Sequence, residues 1–127
     1  MIVLDASALL ALIKDEAGAD VVARAAGNDE ATISAVNYTE TLQKAARAGV
    51  AVEDVDVALE GLGITVSPFG RLDARLTASF YRHQSGLSLA DRVCLALARS
   101  LSSIAFTADH AWENWADDLG VAVRIIR

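Results

Sequence analysis

Residues 1–10, MIVLDASALL, decide how this chain is read. Met1, Ile2, Val3 and Leu4 form a short apolar run that predicts a buried strand, and Ala8, Leu9, Leu10 and Leu12 resume an apolar pattern at helical spacing. Between the two stands Asp5, the first charge of the chain. The same alternation recurs downstream. Runs rich in β-branched residues at 1–5, 31–35 (ATISA), 63–67 (GITVS), 103–107 (SIAFT) and 121–126 (VAVRII) predict five strands. Helical patterns fall near 7–14, 17–27, 37–48, 53–62, 70–84, 88–101 and 109–119. Strands alternating with helices predict a parallel sheet covered on both faces, because parallel strands need crossover connections. The single proline, Pro68, sits just past the third strand, where it ends pairing. With 127 residues there is room for one hydrophobic core, so residues 1–127 are read as one domain.

Composition narrows the partners. The chain is 54% hydrophobic, with a mean hydropathy of +0.35, which points either to an unusually apolar core or to a surface that a partner covers. No apolar run reaches a membrane span, and the first residues lack the basic start and cleavage site of a signal peptide, so a cytoplasmic protein is expected. Cys94, the only cysteine, excludes an internal disulfide and a thiolate metal cluster; its neighbours Val93 and Leu95 mark it as core. The net charge of −6 argues at first against nucleic acid.

Topology sorts most of the 17 acidic residues. In an open parallel sheet, ligands bind beyond the carboxyl ends of the strands. Asp5 ends the first strand, and Glu40 is expected in the first turn of the helix after the second. Asp91 opens the helix that runs back to the start of the fourth strand, and Asp109 directly follows that strand. Asp29, Glu30, Asp117 and Asp118 fall on the opposite rim, whereas Asp15, Glu16, Asp20, Asp54, Asp56 and Glu60 read as solvated charge. Four acids remain, each with a bland alternative. Asp5 and Asp109 suit helix caps, Ser88-Leu89-Ala90-Asp91 fits a capping box, and Asn37-Tyr38-Thr39-Glu40 is a looser version of one.

Magnitudes separate the readings. A cap contributes about 0.5–2 kcal/mol, while two carboxylates about 4 Å apart repel by about 4 kcal/mol at an effective dielectric near 20. Four acids converging on one rim require a multivalent cation. Hard oxygen ligands without His or Cys select Mg2+ or Mn2+. The helix LADRVCLALARSL is apolar almost all round, which partly desolvates Asp91. A divalent ion on such a cluster is the chemistry of phosphodiester cleavage, which needs no side-chain nucleophile.

Four motifs, VLDASALLALI at 3–13, SAVNYTETL at 34–42, LSLADRVCLALA at 87–98 and FTADHAW at 106–112, occur in the order and spacing of a known family. The chain resembles PIN-domain ribonucleases of the VapC toxin type along its full length. The resemblance implies a three-layer α/β/α sandwich around a central parallel sheet of about five strands. It also implies a metal-dependent endoribonuclease whose acids match Asp5, Glu40, Asp91 and Asp109, with Ser7 and Thr107 as supporting hydroxyls. A homodimer and a cognate antitoxin that blocks the active groove are implied too. ENWADD at 113–118 is more acidic than the usual segment before the last strand.

Setting the four acids aside leaves 13 against 11 Lys plus Arg, a residual charge of −2, so an RNA substrate is compatible with the composition. Arg71, Arg75 and Arg82 are expected on one helical face, as an RNA track or a solvated basic face. His110 follows Asp109, but metal-assisted hydrolysis does not need its proton. Trp112 and Trp115 read as packing, and His83 as surface. Two other functions compete. A phosphoacceptor domain needs an Asp after the third strand, where Ser67 and Pro68 stand, and a Lys after a late strand, whereas the only lysines are Lys14 and Lys44. A catalytically inactive module that sequesters RNA or a protein partner would keep the fold and lose the metal.

Overall fold

Each β-branched run becomes a strand in the computed structural model, which describes residues 1–127: β1 (Ile2–Leu4), β2 (Ala31–Ser34), β3 (Ile64–Ser67), β4 (Ile104–Thr107) and β5 (Ala122–Ile125). They pair in parallel in the order β3-β2-β1-β4-β5. The central strand aligns Leu4 with Ile33 on one side and Phe106 on the other. Three residues suffice for β1 because all three are buried and both its edges are paired.

Successive side chains of a strand face opposite ways, and the core divides accordingly. Ile2 and Leu4 pack with Leu9 of α1 (Ala6–Lys14) and with Val22 and Ala26 of α2 (Ala19–Asn28). Val3 and Ala105 pack on the other face with Cys94, Leu95 and Ala98 of α6 (Leu89–Ser100), and with Trp112 and Leu119. The sheet is thus the middle layer of an α/β/α sandwich. A smaller cluster, Leu10, Ala45 and Val55, joins α1 to α3 (Ala35–Arg47) and α4 (Val52–Gly61). Trp112 is fully buried and Trp115 packs beside it, as structural aromatics. No helix is long and apolar enough to cross a membrane.

Three departures from the sequence reading bear on the site and its surroundings. Helix α3 starts at Ala35 rather than near 37, because Ser34, the last residue of β2, is itself the cap: its Oγ accepts from the N–H groups of Val36 and Asn37. Asn37 therefore lies inside the helix and caps nothing, and Glu40 stands in the second turn. Helix α5 (Arg71–Ser79) ends five residues earlier than the 70–84 pattern predicts. Phe80 turns into the core, 1% exposed, and Arg82 donates to the carbonyls of Ser79 and Tyr81 that the helix end leaves free. The stretch 109–119 divides into a 3-10 turn (His110–Trp112) and α7 (Glu113–Leu119).

Candidate active site

Strand order reverses between β1 and β4, and in sheets of this kind the crevice outside that reversal is where ligands bind. Asp5 sits at its centre, one residue past β1 and immediately before α1. Its Oδ1 accepts from the Ala8 N–H at 2.8 Å and the Ser7 hydroxyl at 2.7 Å; its Oδ2 accepts from the Thr107 hydroxyl at 2.6 Å. Thr107, the last residue of β4, also accepts from the Asp109 N–H at 3.0 Å, and Ser7 accepts from the Ala108 N–H at 2.9 Å. One carboxylate and two hydroxyls thereby tie the ends of β1 and β4 together, and the link carries on to Asp109.

Burial has an electrostatic cost here. Asp5 is 7% exposed, and desolvation pushes its pKa up to about 6 despite the hydrogen bonds from Thr107, Ser7 and Ala8; the charge of Asp91 adds to the rise. Asp91 belongs to the predicted capping box: its Oδ2 accepts from the Ser88 N–H at 2.9 Å, and its own N–H donates to Ser88 Oγ at 3.0 Å. Its pKa is nonetheless raised, first by burial and then by the charges of Asp109 and Glu40, against the lowering effect of Ser88. Glu40 is half-buried, and its Oε1 accepts from Asn37 Nδ2 at 3.2 Å. Asp109 is exposed and caps the 3-10 turn through the Ala111 N–H at 3.0 Å. Beneath them lies Cys94, fully buried, its thiol pushed well above the ordinary value by burial and then by the charges of Asp5, Asp91 and Glu40.

Three of the four acids thus cap a helix or turn, as the bland reading expects, and Asp91 repels each of the other three. None has a cationic partner. The chain's ion pairs are the Met1 amino group with Asp29, Lys14 with Glu16, and Arg82 with Asp118. No three His, Cys, Asp or Glu side chains approach closely enough to enclose an ion between them.

The remaining sequence candidates are dispersed. Arg71 and Arg75 are exposed on α5 without acidic partners. Arg82 lies beyond the end of α5 and bonds Asp118 at 2.8 Å, so the single helical face expected for the three arginines does not form. His110 is exposed, with Nε2 2.7 Å from the carbonyl of Arg127. Sequence reasoning passed over Asn37 as an active-site neighbour; the available signal was its place one turn before Glu40 on the same helical face.

A family model for the PIN domain matches residues 2–117. No curated protein matches the chain. Among solved structures, VapBC2 from Rickettsia felis bound to a promoter DNA fragment is similar at 15% identity and a TM-score of 0.72, over 100% of both chains. A toxin-antitoxin complex from Klebsiella pneumoniae is similar at 18% and 0.71, over 96% of each chain. FitAcB from Neisseria gonorrhoeae is similar at 23% and 0.66, over 97% of this chain and 96% of that one.

Proposed function

We propose, from the premise that this chain belongs to the PIN-domain family, that it is a divalent-metal-dependent endoribonuclease of the VapC toxin type. In this reading residues 1–127 form one domain that acts in the cytoplasm as a homodimer and is held inactive by a cognate antitoxin. The toxin-antitoxin structures it resembles support the partner, and the observation that carries the activity is electrostatic. Burial first, and then the charge of Asp91, raises the pKa of Asp5; burial first, and then the charges of Asp109 and Glu40, raises that of Asp91; and no cation of the chain compensates any of the four.

The donor set fits Mg2+, with Mn2+ as a substitute. All donors are hard oxygens, and Mg2+ takes one or two carboxylates while keeping several waters, so an open ring of acids suits it better than a closed cage. Asp5 and Asp91 would hold the ion, with Glu40 and Asp109 completing its surroundings. When bound, the ion supplies a nucleophile at neutral pH by lowering the pKa of water, and it neutralises the non-bridging phosphate oxygens. Ser7 and Thr107 hold both oxygens of Asp5 in place, so that this ligand is oriented in advance. Arg71 and Arg75, exposed and unpaired, are the candidates for contact with the RNA backbone.

The test is RNA cleavage in Mg2+ by Asp5→Asn and Asp91→Asn; undiminished activity in both variants overturns the proposal. The second reading is a catalytically inactive module that keeps the fold and sequesters RNA or a protein partner without a metal. Thermal unfolding separates the two readings, because a metal-binding enzyme gains stability with rising Mg2+ and an inactive module does not.

A further inference from the structure

Asn37 is the buried polar side chain beside the acids that the proposed chemistry leaves without a role. It is 1% exposed. Its Nδ2 donates both to Glu40 Oε1 at 3.2 Å and to the backbone carbonyl of Ala90 at 3.1 Å. The first bond spans one turn of α3. The second crosses to the opening turn of α6 and lands on the residue before Asp91. One amide therefore links the two helices that carry Glu40 and Asp91.

The other half of the amide is orphaned. Oδ1 of Asn37 is buried and has no hydrogen-bond partner. Turning the amide over would not help, because it would set Oδ1 against a carboxylate and a carbonyl, two groups that only accept. A buried acceptor without a donor destabilises the fold, and an aliphatic residue of similar size would carry no such cost. Local rules broken in this way cluster at functional sites.

We propose that Asn37 is a positioning residue that acts through Glu40: by holding Oε1 at a fixed place relative to α6, it sets the divalent-cation affinity of the acidic cluster. The proposal rests on the reading that this cluster takes a divalent ion. Groups of this kind, which orient ligating carboxylates, typically change metal affinity by about 10- to 100-fold. The competing account is a staple between α3 and α6 that contributes to stability and leaves the ion unaffected.

A double-mutant cycle on Mn2+ affinity separates them, read from the free Mn2+ resonance during titration of the full chain, with no dependence on catalysis. Asn37→Ala is expected to weaken Mn2+ binding about tenfold in the native background, and to have no further effect in a Glu40→Ala background. Unchanged affinity in folded Asn37→Ala, the signature of the staple, overturns the proposal, as does an equal loss in both backgrounds, which would mean that Asn37 acts on the ion independently of Glu40. Asn37→Thr, which fills much of the volume but cannot bridge two acceptors, takes the place of Asn37→Ala in the cycle if that variant does not fold. Wild-type protein that fails to bind Mn2+ overturns the nuclease reading and this proposal with it, an outcome distinct from a wild type that binds while Asn37→Ala behaves identically.

Discussion

The two rims of the sheet treat negative charge in opposite ways. Near the amino ends of the strands, Asp29 pairs with the Met1 amino group, and that contact, with the Glu30 N–H, holds its carboxyl below the ordinary range. Asp118, where α7 hands the chain to β5, pairs with Arg82 at 2.8 Å. At the carboxyl ends, Asp5 and Asp91 are pushed upward and no cation answers them. A chain with 11 basic residues could have placed one there. The uncompensated rim shows that acids can be helix caps and an electrostatic liability at once. Capping explains why Asp5, Asp91 and Asp109 occupy their backbone positions; it leaves unexplained why the charge of Asp91 lies within repulsive reach of the other two.

The strongest way to break this contrast is to give the carboxyl rim its own cation. Asp91→Arg is expected to abolish Mg2+-linked thermal stabilisation and to lower RNA cleavage by about 10³-fold, since charge stabilisation by a metal is worth several kcal/mol. Cleavage assays and unfolding curves with and without Mg2+ check this.

Next is the pH dependence of the metal-free protein. Asp5 has a raised folded pKa, so between its unfolded value near 3.8 and about 6 the folded state holds more protons, and stability falls as pH rises through that window. The shift of roughly two units corresponds to about 3 kcal/mol, and Asp91 acts in the same direction. Denaturant unfolding from pH 4 to 7.5 should show the decline, and Asp5→Asn should flatten it.

A subtler perturbation is Thr107→Val, which keeps the shape and leaves Asp5 Oδ2 without its 2.6 Å donor. The loss is expected to cost about 1–3 kcal/mol and to move the pH midpoint of that decline upward, because a hydrogen bond that lowers the pKa of Asp5 has gone. The smallest effect belongs to the paired acids. Arg82→Ala should cost at most about 1 kcal/mol, as exposed ion pairs do, and should leave Mg2+ binding unchanged.

Much of this was legible in the sequence. Strand positions followed from the β-branched runs, and the Ser88–Asp91 capping box from its spacing, because both depend on neighbours in the chain. The start of α3 was misread because Ser34 and Asn37 are equally good cap residues, and the choice fell to the end of β2, a property of sheet pairing. The end of α5 was misread because neither glycine nor proline marks it; it depends on Phe80 finding the core and Arg82 finding Asp118, contacts 36 residues apart in the latter case. The gathering of acids on one rim could be argued from topology. Their spacing could not, nor could the bond from Asn37 to Ala90, which spans 53 residues.

The junctions at Asp5 and Ser34 have no slack. A single residue joins β1 to α1, and β2 passes into α3 directly. Each helix is thus phased by its strand like a gear keyed to a shaft, and an extra residue after Ser34 would turn α3 by about 100°, swinging Glu40 away from Asp91. Surface loops elsewhere in the chain can lengthen over time, whereas these two seams forbid insertion, and any descendant that acquired one would keep its core and lose its rim.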